Sequence, residues 1–200
     1  MRPCRRWIRG AVLGLLYVLV LPWGLAARLC LRLAGSVALF DLCAQAFALL
    51  PGLPGCLARS CYYKQTMRAS HLDARFQFGS LVSKADARIG RGVYVGLWSS
   101  IGLADVGDGA VIANRVGVLS GRHQHDFGDP SRPPMGSPST FTRISIGGNC
   151  FIGDNAVVMA DVGRGTIVGA GAVVVRPLPE EVLAVGSPAR AVRARASGQA

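Results

Sequence analysis

Apolar residues recur at every sixth position along much of the second half of the chain. Ile89, Val95 and Ile101 form one series, and a glycine follows each of them. A second series continues the same spacing at Ile146, Ile152 and Val158. A period of six matches neither the 3.6 of a helix nor the 2 of an ordinary strand. We therefore predict that each repeat forms one flat side of a coiled parallel solenoid.

The phase of this repeat shifts twice. After Ile101 it moves by one residue, and after Val158 it moves by two. The shifted series are Val106, Ile112 and Val118, then Val162, Val168 and Val174. We interpret the shifts as adjustments at the corners of the coils, because an ordinary β-sandwich would have alternating strands with irregular turn spacing. The coils are predicted to begin near Phe78.

The N-terminal quarter of the chain is apolar and starts with a basic segment. Residues 1–9 carry four arginines, and residues 10–27 carry no charge, which is close to the minimum length for crossing the hydrocarbon layer. A second apolar stretch, residues 33–57, contains Asp41. A carboxylate at the bilayer centre costs about 2.5–3.5 kcal/mol, which argues against a simple second span. We expect residues 1–57 to form a membrane-associated helical segment.

Several topologies of this segment stay open at the level of sequence. They are a cleaved signal peptide, a single signal anchor, a helical hairpin or monotopic patch, and a soluble helix pair used in oligomer packing. The cleavage-like run Gly24-Leu25-Ala26 is a weak signal. Both flanks are basic, so the positive-inside rule does not choose among them.

Composition sets limits on the rest of the chain. Two hundred residues, half of them apolar and 26 of them glycine, suffice for one modest domain with an appendage. We expect a linker and lead-in at 58–77, the coils at 78–193 and a tail at 194–200. The net charge is +11, but the arginines are scattered without interleaved aromatic residues, which disfavours nucleic-acid binding. Six cysteines without a CxxC pair predict buried thiols and no metal site.

The repeat is interrupted at residues 121–143. The inserted segment is polar and proline-rich, and it carries His123 and His125, two of the three histidines of the chain. It is predicted to leave the column as a loop, and loops on a rigid scaffold often carry the chemistry. Histidine, with an ordinary pKa of about 6.5, suits a general base at neutral pH. Asp126 or Asp129 could fix the tautomer of such an imidazole.

Three features together resemble the hexapeptide-repeat acyltransferases, and more narrowly the O-acetyltransferases of polysaccharide and lipo-oligosaccharide synthesis. They are the hexads, the run Ser120-Gly121-Arg122-His123 and the closing run Gly186-Ser187-Pro188-Ala189-Arg190. The resemblance covers roughly residues 78–193. It implies a mainly β fold with a left-handed parallel β-helix, here preceded by apolar helices. It also implies a homotrimer that transfers acetyl groups from acetyl-CoA to a sugar in clefts between neighbouring copies.

The resemblance also suggests roles for individual residues. His123 falls where the family's catalytic histidine would, with His125 as an alternative base or orienting group and Asp126 as its partner. The coenzyme contacts carried over from the family are Gly153, Asp154, Ala170, Arg176, Arg190 and Arg193. Arginines suit the coenzyme's phosphates. Val175 stands where relatives often have threonine, so one hydroxyl contact is lost. No metal is required.

Two other functions compete with this interpretation. A non-catalytic assembly module is the main alternative. A γ-type carbonic anhydrase would need three zinc-binding histidines, but His123 and His125 are too close together and His71 precedes the coils. A longer acyl donor also stays open. For the acceptor, Trp98 either stacks on a sugar ring or packs in a core or trimer interface.

We therefore expect a membrane-associated, homotrimeric, acetyl-CoA-dependent O-acetyltransferase. Its acceptor is predicted to be a saccharide or a lipid-linked saccharide, since membrane attachment would hold enzyme and acceptor in one plane. The catalytic domain is expected on the cytoplasmic side, where the donor is found, and this favours the hairpin or monotopic arrangement of the N-terminal segment.

Overall fold

Three β-sheets, parallel except for the last strand, form the body of the protein, and the chain passes from one sheet to the next in turn. The computed structural model describes residues 3–122, 124 and 139–195, with side chains of the first helix described from residue 10 onward. Sheet 1 consists of β1 (Arg75–Phe76), β4 (Tyr94–Val95), β7 (Val111–Ile112), β10 (Phe151–Ile152), β12 (Ile167–Val168), β14 (Val182–Val185) and β15 (Arg190–Ala194). Sheet 2 consists of β2 (Leu81–Val82), β5 (Ser100–Ile101), β8 (Gly117–Val118), β11 (Val157–Val158) and β13 (Val173–Val174). Sheet 3 consists of β3 (Arg88–Ile89), β6 (Ala104–Val106) and β9 (Ile144–Ile146).

The register of the sheets confirms the six-residue pattern. From β1 to β8, each strand pairs in parallel with the strand three places later, so that Val95 lies beside Ile112 and Ile101 beside Val118. Beyond β9, sheet 3 continues as isolated bridges at Val162 and Leu178, so β10, β11 and β12 each pair with the strand two places later. The apolar residue of each predicted hexad is buried inside the column, including the members after both phase shifts: Ile89, Val95, Ile101, Val106, Ile112, Val118, Ile146, Ile152, Val158, Val162, Val168 and Val174. Backbone hydrogen bonds therefore run along the column axis, and the aliphatic side chains fill its centre.

The column ends in a structure that the repeat does not predict. After β14 the chain reverses, and β15 pairs with β14 in antiparallel orientation, with Val185 beside Arg190. The closing run Gly186-Ser187-Pro188-Ala189 forms this reversal. The last strand thereby covers the final edge of sheet 1, which would otherwise expose unpaired backbone groups.

Each coil has three corners, which we name by the sheets they join. Corner 1–2 contains Trp98, Asn114 and Ala170, among others. Corner 2–3 contains the stretch 84–86, Leu103 and the start of the inserted loop at Ser120. Corner 3–1 contains Arg91, Asp108 and Arg164. Residues at one corner of successive coils stack about 4.8 Å apart, because the coils are held by parallel strand pairing.

Three helices precede the column. They are α1 (Pro3–Leu33), α2 (Ala38–Ala48) and α3 (Gly52–Thr66). Helix α3 lies between α1 and the first coil, and its residues from Gly55 to Tyr63 are all buried. Among the residues that the structure describes, α1 is the one helix long and apolar enough to cross a membrane, over Gly10–Leu33.

Polar contacts fasten this helical layer to the first coil. The buried Arg59 donates from Nε to the Phe76 carbonyl at 2.8 Å, and from one terminal nitrogen to carbonyls at the end of α2. The Tyr63 hydroxyl accepts the backbone N–H of Val82 at 3.0 Å, and its ring packs 4.7 Å from that of Phe76. Helix α3 is therefore part of the same packed unit as the coils.

This arrangement corrects the predicted lead-in. Residues 58–77 were expected to form a linker, but most of them belong to α3 and to β1, which begins at Arg75. The polar residues of this stretch suggested an exposed connection, whereas several of them make buried hydrogen bonds in the structure, namely Arg59, Ser60, Tyr63 and Thr66. The first coil also begins a few residues before Phe78, with a bridge between Ala69 and Arg88.

Candidate active site

The inserted loop leaves and rejoins the column at one closed stem on corner 2–3. The carbonyl of Ser120 accepts the backbone N–H of Thr142 at 2.9 Å, and the Ser120 hydroxyl accepts the N–H of Leu103 at 2.8 Å. The predicted catalytic residues His123, His125 and Asp126, and also Asp129, lie outside the described residues. The structure therefore fixes where the loop starts and ends.

Gly121 is required at this stem. Its φ is +87°, in the region that residues with a side chain rarely adopt, and an added Cβ would lie 2.7 Å from the Cβ of Thr142. We expect Gly121→Ala to lower the free energy of unfolding by about 1–3 kcal/mol. Gly117→Ala is the matched control, because that position has an ordinary φ and open space around it. Denaturant unfolding that gave equal stabilities for the two variants would contradict this assignment.

Arg122, the residue before His123, contacts a later coil. The exposed Arg122 donates from its guanidinium to the carbonyl of Val175 at 3.1 Å. Val175 follows β13 and precedes Arg176, one of the predicted coenzyme contacts. The loop thus starts on the same corner as Arg176, two coils away from it.

The other predicted coenzyme residues on the coils lie on corner 1–2. Gly153 packs directly against the next coil, since an added Cβ would lie 2.5 Å from the backbone nitrogen of Ala170. One carboxylate oxygen of Asp154 accepts the backbone N–H of Asn114 at 2.6 Å. The backbone carbonyl of Asp154 accepts the N–H of Gly171 at 2.8 Å. Asp154 therefore has a structural role in joining three coils. Ala170 is exposed at the corner.

The last two predicted coenzyme residues, Arg190 and Arg193, lie on β15 and are exposed. Arg193 pairs with Leu183, and Arg190 with Val185. Within the described part of the chain, no carboxylate lies within 4 Å of the guanidinium groups of Arg176, Arg190 and Arg193. Their charges are available to an anionic ligand.

One copy of the chain does not bring all these residues to one corner. The loop stem and Arg176 lie on corner 2–3, whereas Gly153, Asp154 and Ala170 lie on corner 1–2, across the full width of sheet 2. A site that used both groups would be completed where corner 2–3 of one copy approaches corner 1–2 of another.

Comparisons with curated proteins find acetyltransferase-like relatives, although no family model matches the chain. The bifunctional protein GlmU of Nitratidesulfovibrio vulgaris is 32% identical over 120 residues, which cover 57% of this chain and 22% of GlmU. A Schizosaccharomyces pombe protein, named as a candidate acetyltransferase, is 33% identical over 96 residues, covering 46% of this chain and 44% of that protein. The chain spans less than half the length of each of these relatives.

A solved structure extends the likeness to three dimensions. Galactoside acetyltransferase in complex with coenzyme A superposes with a TM-score of 0.64 at 21% identity, covering 78% of this chain and 80% of that one. The chain has the fold of the hexapeptide-repeat acyltransferases. This agrees with the resemblance drawn from the hexads, the histidine loop and the closing run.

Cys150, the one cysteine of the coils, is unsuited to nucleophilic catalysis. Cys150 is buried in the column, and its thiol lies 3.0 Å from the Gly163 carbonyl. Burial raises the pKa of the Cys150 thiol above its ordinary value, which keeps it protonated and unreactive. Among the described residues there is also no group of three metal-binding side chains.

Trp98 is a feature of the site region that sequence analysis left ambiguous. Its side chain is 56% exposed, so it does not pack in a core. It lies edge-on to Phe78 at 5.2 Å and directly over Gly79, and its φ is +57°, which is rare for a bulky residue. The same position of corner 1–2 is occupied by Arg115 and Asn155 on the next two coils, and both also have a positive φ. The polar residues at this position could have predicted from the sequence that Trp98 is exposed.

Proposed function

We propose that this protein is an acetyl-CoA-dependent O-acetyltransferase that acts on a saccharide, with His123 as the general base. The observation that carries the proposal is the closed stem at Ser120 and Thr142. This stem, where the inserted segment begins and ends, lies on the corner that also holds Arg176, in a fold shared with a galactoside acetyltransferase bound to coenzyme A.

In the proposed reaction, the imidazole of His123 removes the proton from a sugar hydroxyl as that oxygen attacks the thioester carbonyl. The tetrahedral oxyanion then collapses, the carbon–sulfur bond breaks, and the coenzyme thiolate leaves. The imidazolium returns its proton to the sulfur, so the histidine is regenerated and the products are an acetyl ester and coenzyme A. Backbone N–H groups at a coil edge would stabilise the oxyanion.

We infer that the column winds left-handed. We also infer that three copies of the chain assemble side by side into a homotrimer. The assembly is supported by the distribution of the predicted residues between corner 2–3 and corner 1–2. In a homotrimer the loop of one copy would face the coenzyme surface of the next, and each of the three sites would draw on two copies.

We also infer that the protein attaches to a membrane on its cytoplasmic side. The support is a surface of α1 that we call the apolar face, formed by Leu15, Val18, Leu19, Leu25, Leu29 and Leu33, each more than half exposed. The opposite side of α1, with Val20, Gly24 and Ala27, is buried in the helical layer. An apolar surface of this extent on the outside of a protein marks a contact with lipid or with another protein. The lipid contact favours a lipid-linked saccharide as acceptor.

The membrane attachment is testable at the apolar face. We expect Leu25→Gln combined with Leu29→Gln to reduce binding to phosphatidylcholine vesicles at least tenfold, since each buried leucine contributes about 1.5–3 kcal/mol. Val192→Gln is the control, because Val192 is equally exposed but lies on β15. Sedimentation with vesicles gives the bound fraction. Unchanged binding of the double variant would rule out this face as the membrane contact.

The acetyltransferase proposal is tested with the purified full-length chain in detergent. Incubation with acetyl-CoA and a panel of saccharides should release free coenzyme A and form acetyl esters. The alternative, a non-catalytic assembly module, predicts coenzyme release no faster than the rate without protein. That second result, on a folded trimer, would refute the enzymatic proposal.

A further inference from the structure

A basic cavity lies where the end of α1 meets the first coil. Its volume is about 510 Å³, and we call it the arginine pocket because Arg28, Arg32 and Arg68 line it, together with Thr66 and Asp86. Arg28 and Arg32 are one turn apart on α1, whereas Arg68 follows the end of α3. Side chains from two separate elements thus converge on one space.

The charge in this pocket is not balanced by the surrounding protein. Three guanidinium groups face one carboxylate, that of Asp86, and in the described parts of the chain none of the three has a carboxylate within 4 Å. A position near a helix C-terminus stabilises each arginine singly. It does not account for three like charges around one cavity, which repel one another until an anion enters. Guanidinium groups in this arrangement match a phosphate group.

The arginine pocket lies beside the proposed membrane contact. Arg28 and Arg32 immediately precede Leu29 and Leu33 of the apolar face. If the apolar face lies against lipid, these arginines are at the depth of the headgroups, where long basic side chains reach phosphates. An anion in the pocket would therefore be one that is attached to a lipid.

The pocket also lies below the stem of the histidine loop, on the same corner. Asp86 of the pocket is on the first coil of corner 2–3, and its carbonyl accepts a hydrogen bond at 3.0 Å from Arg143, which follows the stem. The Lys84 ammonium lies 3.9 Å from the ring centre of Phe141, just before the stem. Two coils separate Lys84 from Ser120, or about 10 Å, a distance that one or two sugar rings can span.

We propose that the arginine pocket binds the phosphate linkage of a lipid-linked saccharide acceptor. The lipid lies along the apolar face, the phosphate is held by Arg28, Arg32 and Arg68, and the saccharide extends along corner 2–3 toward the histidine loop. This inference rests on the proposed saccharide acetylation, and it assigns a place to the acceptor that no coenzyme contact occupies.

The test compares binding of the full-length chain to three kinds of vesicle. They are pure phosphatidylcholine, phosphatidylcholine with a long-chain prenyl diphosphate, and phosphatidylcholine with enough phosphatidylglycerol to match the negative charge of the second. We expect the wild type to bind the prenyl diphosphate vesicles most tightly. Arg32→Gln combined with Arg68→Gln should lose about tenfold or more of that preference, because charge-assisted hydrogen bonds to phosphate are removed. Its binding to pure phosphatidylcholine should be unchanged.

Two further variants make the result specific. Arg91→Gln combined with Arg164→Gln removes the same charge from corner 3–1 and should bind like the wild type. Arg32→Lys combined with Arg68→Lys keeps the charge and should recover part of the preference. Equal binding of the wild type and the Arg32, Arg68 glutamine variant to prenyl diphosphate vesicles would overturn the assignment. The assignment would also be overturned if the wild type bound phosphatidylglycerol vesicles as tightly as prenyl diphosphate vesicles. That result would mean that the arginines form a general surface for anionic lipids.

The outcome is separable from that of the proposed function. Loss of the prenyl diphosphate preference should leave acetylation of a soluble, phosphate-free saccharide within about twofold of the wild type, because the variants do not touch the histidine loop or the coenzyme residues. A protein that acetylates no saccharide at all would refute the proposed function, whatever its vesicle binding.

Discussion

His123→Ala is expected to lower kcat/KM for saccharide acetylation by about 10²- to 10⁴-fold, the usual contribution of a positioned general base. A sugar hydroxyl is a poor nucleophile at neutral pH, so the transition state depends on removal of its proton. The coenzyme and the acceptor should still bind, since the loop stem at Ser120 and Thr142 is unchanged. The measurement is initial-rate kinetics with the purified full-length protein, following release of free coenzyme A.

The pH dependence distinguishes a base from a binding residue. A general base acts in its unprotonated form, so wild-type kcat/KM should rise from acidic pH and then level off. In His123→Ala this rise should disappear. His125→Ala is the matched control on the same loop, and we expect it to retain the rise with a much smaller loss of rate. A His123→Ala variant with wild-type kcat/KM would remove the histidine from the mechanism.

Arg59→Met is expected to destabilise the protein by about 3 kcal/mol. Arg59 is almost fully buried and donates to four backbone carbonyls, those of Phe47, Ala48, Leu50 and Phe76. The Phe47 carbonyl also accepts the backbone N–H of Leu50, and the Ala48 carbonyl accepts that of Gly79. The carbonyls of Leu50 and Phe76 would therefore carry most of the loss, at about 1–3 kcal/mol for each buried unpaired group.

A change of this size corresponds to a fall of about 6–12 °C in melting temperature for a chain of this length. The melting temperature of Arg59→Lys should lie between those of Arg59→Met and the wild type. One ammonium group cannot reach both the Phe76 carbonyl and the carbonyls at the end of α2. Lys64→Met, on an exposed position of the same helix, is the control. Circular dichroism of the full-length chain in detergent gives the melting curves. Equal curves for Arg59→Met and Lys64→Met would show that Arg59 does not join the helices to the column.

The coils were predictable because their side chains carry a strict local pattern. One apolar residue per side must point inward, so burial of Ile89, Ile112 or Val174 follows from spacing alone. The phase shifts at Ile101 and Val158 did not obscure this, since corners tolerate a change of one or two residues. The interruption at 121–143 was equally visible, because a polar, proline-rich segment cannot fill the column.

Helix α3 was not predictable in the same way. Its buried residues include Arg59, Ser60 and Gln65, which are usually exposed, and their partners are carbonyls distant in sequence. The arginine pocket was hidden for a related reason. Arg68 is far along the chain from Arg28 and Arg32, and only the packing of α1 against α3 brings the three to one cavity. A tertiary contact leaves no periodic signal.

The most direct test uses the purified full-length protein, radiolabelled acetyl-CoA and a lipid extract of membranes from cells that make the protein, and it measures transfer of the labelled acetyl group. We predict that label enters a lipid-soluble saccharide as an alkali-labile ester, and that His123→Ala transfers almost none. Absence of label from every saccharide fraction, or equal transfer by the wild type and His123→Ala, would contradict the account.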